Sequence, residues 1–116
     1  MKELIAKKLE ARVFSLKGWI NNTQPDSLVA FFQSELDTAS FHILNFTEHS
    51  FPENGFTAVW LLAESHLAIH SFTDSGWSFF ELTSCNKSKS EIFKTNILQA
   101  KFSIKLDRNT IEESRI

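Results

Sequence analysis

The strongest constraint in this chain is a long apolar run with one polar interruption. Residues 56–63 read Phe-Thr-Ala-Val-Trp-Leu-Leu-Ala, residues 67–72 read Leu-Ala-Ile-His-Ser-Phe, and Glu64, Ser65 and His66 stand between them. In the first segment Val59, Leu61 and Ala63 fall on one parity and Ala58, Trp60 and Leu62 on the other. Both faces of the strand are therefore apolar, and it belongs in the middle of a sheet or against a second layer. The run then resumes at Leu67 after the interruption, leaving three or four antiparallel strands in the middle of the chain. A hydroxyl, two imidazoles and a carboxylate packed into Glu64, Ser65, His66 and His70 need partners or a task in such surroundings.

The flanking segments complete an α+β pattern. Partial alternation predicts a strand over residues 9–16, with residues 17–22 as a loop carrying Trp19 as a core, interface or substrate-wall side chain. Pro25 and Asp26 suit the first turn of a helix, and Leu28, Phe31, Phe32, Glu35 and Leu36 recur at three and four to its end at residues 37–40. Residues 41–46 read as a strand and residues 49–55 as a loop closed by Asn54-Gly55. After the turn-like Asp74-Ser75-Gly76, residues 77–84 form another strand. Asn86, Ser88 and Ser90 offer caps for a second helix over about residues 88–98. Residues 102–106 alternate as a last strand, and residues 107–116 form a polar tail. Residues 1–10 read as a short helix or a frayed end. The expected fold is one α+β domain over residues 1–116, an antiparallel sheet with both helices on one face.

Composition narrows the function. Twelve basic and fourteen acidic residues leave a net charge of -2, which argues against a nucleic-acid surface. No apolar run approaches the length of a membrane span, the start lacks the apolar core of a secretory signal, and a single cysteine forms no internal disulfide; a cytoplasmic protein is expected. One Cys with scattered His has no zinc-site spacing, so no metal is expected.

The Glu64-Ser65 bond poses a specific chemistry. A Ser hydroxyl can attack the carbonyl that precedes it, exchanging an amide for an ester where the backbone is strained and a base takes the proton. Elimination and hydrolysis then leave a pyruvoyl group on the downstream chain. Such a ketone can form a Schiff base with an amine and accept the electrons of a departing carboxylate.

Four elements in order, Gly55-Phe56-Thr57, Ala63-Glu64-Ser65-His66-Leu67-Ala68-Ile69-His70, Asp74 and Cys85, resemble the small bacterial and archaeal S-adenosylmethionine decarboxylase proenzymes, pyruvoyl-dependent enzymes of polyamine synthesis. The likeness is densest over residues 49–85. It implies cleavage between Glu64 and Ser65, with Ser65 as nucleophile and source of the pyruvoyl cofactor. His70 would assist collapse of the ester, Thr57 would aid the acyl shift, and Cys85 would return a proton to the product. Phe51 would stack on adenine, Phe72 takes the place of a frequent Trp, and Asp74 takes the place of the Glu that holds the ribose hydroxyls. His66 adjoins Ser65 and could contact it. The resemblance also implies a homodimer in an αββα sandwich, each protomer cleaved into two chains, acting on a small molecule.

Departures bear on the substrate. Ser71-Phe72-Thr73-Asp74 replaces Thr-Trp-Pro-Glu, Glu81 replaces an Asp, and Asn86 replaces the Gly that commonly follows the Cys. Decarboxylation of ornithine or arginine is therefore an alternative, since carboxylates beside a ketone can hold an ammonium or guanidinium. An uncleaved, non-catalytic partner subunit is another.

Overall fold

In a computed structural model of the chain, residues 13–53 and 55–115 are described. The expected N-terminal helix or frayed end, the start of the strand at residues 9–12, and Asn54 of the turn lie outside them. The elements are β1 (Phe14–Ile20), α1 (Pro25–Thr38), β2 (Ile43–Phe51), β3 (Gly55–Leu62), β4 (Ser65–Phe72), β5 (Trp77–Ser84), α2 (Lys87–Gln99), the short α3 (Lys101–Ile104) and β6 (Leu106–Arg115). The strands form one sheet in the order β2-β3-β4-β5-β1-β6, with antiparallel pairing throughout. This is the expected α+β architecture.

Strand periodicity gives the sheet two unlike faces. Leu16 and Ile20 of β1, Phe56, Ala58, Trp60 and Leu62 of β3, Leu67 and Ile69 of β4, and Phe80 and Leu82 of β5 are buried on one side. Leu28, Phe32 and Leu36 of α1 and Phe93 and Ile97 of α2 close over them. The Phe32 ring lies 5.4 Å from that of Phe80 and 6.2 Å from that of Phe93, linking sheet and both helices. Trp60 is fully buried and donates its indole N–H to Gln33 Oε1 at 2.8 Å, which removes the cost of burying that donor. The opposite face, carrying Thr57, Val59, Leu61, His66, Ala68, His70 and Phe72, is half-buried to exposed.

Three sequence expectations are corrected. Residues 17–20 are strand, not loop: Leu16, Gly18 and Ile20 turn inward while Lys17 and Trp19 turn outward. Gly18 marks close packing here, because a Cβ would stand 2.7 Å from Ile111 Cδ1 and 2.8 Å from Phe80 Cε1. His49, Ser50 and Phe51 extend β2, which begins at Ile43. Residues 101–104 are a helical turn, and the polar stretch from Leu106 to Arg115 is the last strand. β6 is an edge strand whose backbone pairs with β1, so it needs few apolar side chains, and a register shift between Lys17 and Trp19 hides its period.

Candidate active site

The β3–β4 connection has two residues, since Leu62 pairs with Ser65. A connection this tight requires a positive φ, and Glu64 takes it at 60°, an uncommon conformation for a residue with a side chain. The peptide carbonyl of Glu64 accepts the backbone N–H of Cys85 at 3.3 Å, just beyond the end of β5. Ser65 opens β4 opposite Ser84, is 8% exposed, and donates its hydroxyl to Ser84 Oγ at 2.8 Å. Backbone strain, a polarised carbonyl and an ordered hydroxyl thus meet at one peptide bond.

Cys85 is exposed. Its neighbour Asn86 caps α2, accepting the Lys89 backbone N–H at 3.0 Å through its side chain. The cap fixes the turn out of β5 and with it the N–H that reaches Glu64. His66, which could have contacted Ser65, is exposed and occupies the parity opposite it.

A second group sits on the open face toward the other end of the same strands. Thr57 of β3 pairs with His70 of β4, and Thr57 Oγ1 lies 3.1 Å from His70 Nδ1. His49 pairs with Thr57 from β2, and its ring lies 4.7 Å from that of Phe51. Phe79 pairs with His70 and meets the Trp19 ring at 5.3 Å, while Phe72 meets the same indole at 6.0 Å. Phe51 and Phe72 are 46% and 41% exposed, leaving open aromatic surface. Asp74 lies in the β4–β5 turn and accepts the Ser75 backbone N–H at 3.0 Å. Glu81 pairs with Lys17 and approaches its Nζ to 3.6 Å.

The candidate residues therefore fall into two sets. Glu64, Ser65 and Cys85 gather at the β3–β4 turn, whereas Thr57, His70, Phe51, Phe72 and Asp74 lie toward the opposite end. Ser65 and His70 are five positions apart on one strand, hence on opposite faces and about 16 Å apart along it. Trp19 lies beside the second set, its ring against those of Phe72 and Phe79. Ser84 was missed by sequence reasoning; its signal was a hydroxyl at the inward parity of β5 beside Cys85. Among the described residues no cluster of three or more His, Cys, Asp or Glu side chains could hold a metal ion, and no helix is long and apolar enough to cross a membrane.

The model of the S-adenosylmethionine decarboxylase family matches residues 21–113. The chain belongs to that family. It is 37% identical over 60 residues to the S-adenosylmethionine decarboxylase proenzyme of Parasynechococcus marenigrum, covering 48% of this chain and 47% of that protein. The corresponding proenzyme of Prochlorococcus marinus (strain MIT 9211) is 35% identical over 60 residues, covering 48% and 49%. The matched stretch thus spans about half the length of these curated relatives. The fold is also that of the adenosylmethionine decarboxylase from Aquifex aeolicus, with a TM-score of 0.70, 16% identity, and 93% and 91% of the two chains covered. In this chain the segment after His70 enters the exposed β4–β5 turn.

Proposed function

We propose that the chain cleaves itself between Glu64 and Ser65 and then decarboxylates S-adenosylmethionine, with a pyruvoyl group derived from Ser65. The observation that carries this reading is the Glu64–Ser65 peptide itself, with φ of 60° at Glu64 and its carbonyl on the Cys85 N–H. The same observation fits the residues to the cofactor, since a serine stands next to a carbonyl already held by a donor. Once formed, the ketone would supply an electron sink for the bond to the departing carboxylate.

The chain's own groups have distinct tasks in this reading. The Cys85 N–H holds the oxygen on which negative charge develops as Ser65 Oγ adds to the Glu64 carbonyl. Relief of the left-handed Glu64 conformation favours opening of the turn. The exposed Cys85 thiol holds the proton that the decarboxylated product requires. The open aromatic surface of Phe51 and Phe72 offers stacking area to adenine, and Asp74 offers acceptors to the ribose hydroxyls.

The separation of His70 from Ser65 supports a homodimer that shares its sites. If a second copy lays its open sheet face on the first about a two-fold axis perpendicular to the strands, strand ends exchange. The end carrying Thr57 and His70 of one copy then lies over the Glu64–Ser65 end of the other. The exposed Leu61 and Phe72 and the aromatic wall of Trp19 provide apolar surface for this contact, giving an αββα sandwich.

The test is the intact mass of the purified chain and of Ser65→Ala, with carbon dioxide release from S-adenosylmethionine, ornithine and arginine measured on the wild type. Two fragments lost in the variant, with release from S-adenosylmethionine alone, are expected. Release from ornithine or arginine would reassign the substrate, and a wild-type chain that remains whole would replace the enzyme by an uncleaved relative.

A further inference from the structure

One fully buried hydroxyl beside the cleavage bond has no assigned role. Ser84 is 0% exposed, and its Oγ takes part in three hydrogen bonds. It accepts the Ser65 hydroxyl at 2.8 Å and the Asn86 backbone N–H at 2.9 Å, and it donates to the Asn86 carbonyl at 3.3 Å. A serine hydroxyl has one proton to give and two lone pairs to fill, so this one is saturated. Ser84 can then meet Ser65 only as an acceptor, and the direction of the Ser65 hydroxyl is set.

The anchor of that arrangement is the start of α2. The Asn86 side chain accepts the Lys89 backbone N–H at 3.0 Å, and its carbonyl accepts Ser90 Oγ at 2.8 Å and the Ser90 backbone N–H at 3.1 Å. Ser84, Cys85 and Asn86 are consecutive, so one capped turn grips both oxygens of the reaction. Cys85 holds the carbonyl oxygen of Glu64, and Ser84 holds the hydroxyl oxygen of Ser65. Both reacting groups are thereby drawn toward the same end of β5.

We propose that Ser84 is a positioning residue for self-cleavage, fixing the Ser65 side chain for attack on the Glu64 carbonyl; this rests on the self-cleavage reading above. In the step it serves, Ser65 Oγ bonds to the Glu64 carbonyl carbon and the carbon–nitrogen bond of the peptide breaks. The hydroxyl proton ends on the Ser65 nitrogen, leaving an ester and an amine with no further reactant. Without Ser84 the Ser65 hydroxyl redistributes among its staggered rotamers and loses its fixed approach.

The experiment follows the intact mass of freshly purified full-length chain over time for wild type, Ser84→Ala, Ser84→Val and Ser84→Thr. A parallel set receives hydroxylamine, which releases fragments from any accumulated ester. Circular dichroism and melting confirm that each variant is folded. Cleavage is expected to slow by about 10- to 100-fold in the Ala and Val variants without additional hydroxylamine-released fragments, and to return to within several-fold of wild type in the Thr variant. Thr and Val have nearly the same shape, so their comparison isolates the hydroxyl from packing even if Ala loosens the fold. Wild-type rates in Ala and Val, ester accumulation in them, or a Thr variant as slow as Val would each overturn the role of Ser84. A wild-type chain that never cleaves would overturn the self-cleavage reading itself, a distinct result.

Discussion

Thr57 and His70 face one another across β3 and β4, with Thr57 Oγ1 3.1 Å from His70 Nδ1, on the sheet face opposite to Ser65. The hydrogen bond fixes the imidazole by one nitrogen and leaves the other free toward the open face.

Replacing His70 by Ala is therefore expected to slow self-cleavage by about 10²- to 10⁴-fold, the usual worth of a positioned proton carrier. The chain should accumulate as a hydroxylamine-sensitive ester, read by intact mass. Thr57→Val should slow cleavage less, and Thr57→Ser should restore it.

Sharing of the site between protomers has its own test. Ser65→Ala and His70→Ala are each expected to stay whole when expressed alone. Co-expressed with distinguishable tags, they should yield fragments from the His70→Ala chain only, since its partner supplies the missing imidazole. Absence of cleavage in isolated mixed dimers would place the whole machinery within one chain.

Gly55 cannot bear a side chain. Its φ is 112°, and a Cβ would stand 2.0 Å from the Ser71 carbonyl oxygen, which is backbone of β4 and cannot swing away. Gly55→Ala should cost more than the 1–3 kcal/mol typical of a strained backbone residue, roughly 3 kcal/mol or above. Gly76→Ala, with φ of 81° but nothing nearer than Asn21 Oδ1 at 3.8 Å, should cost only about 1–2 kcal/mol. Urea denaturation of the two variants measures the difference.

Glu35 gives the stability a pH dependence of known sign. Its Oε2 is shielded from solvent and has no hydrogen-bond partner among the described residues, and desolvation raises its pKa above the ordinary 4.5. A carboxyl whose pKa is raised on folding stabilises the fold while protonated in both states. That contribution is full below the ordinary value and is lost as pH climbs through the folded one. Glu35→Gln should therefore melt close to wild type near about pH 4 and above it near about pH 7, with the gap opening between. A constant gap would assign the effect to packing.

The two helices and most of the strand segments from Pro25 to Gln99 were legible in the chain from apolar spacing and from β-branched and aromatic content. Leu28, Phe32 and Leu36 recur at four, and the aromatic and β-branched content of residues 77–84 placed that strand at its observed limits. The failures fall at β1, at the far end of β2 and at β6. Gly18 reads as a loop signal until Ile111 and Phe80 are seen filling the space where its side chain would be. The polar segment from Leu106 to Arg115 becomes a strand because β1 presents an unpaired backbone edge, which a sequence does not display.

By itself the sequence determined the order of apolar and polar positions, and hence the helix and strand segments, the polar interruption at Glu64 and Ser65 and the residue types available for chemistry. These follow from local period and composition. Only the tertiary structure decided which of those residues meet. Antiparallel register sets Cys85 N–H against Glu64 and Ser84 against Ser65, while the odd spacing along β4 sends His70 to the other face. Pairing across strands is fixed by the packing of the whole sheet under its helices, so the Ser65 hydroxyl finds its partner in Ser84, 19 residues away, rather than in its neighbour His66.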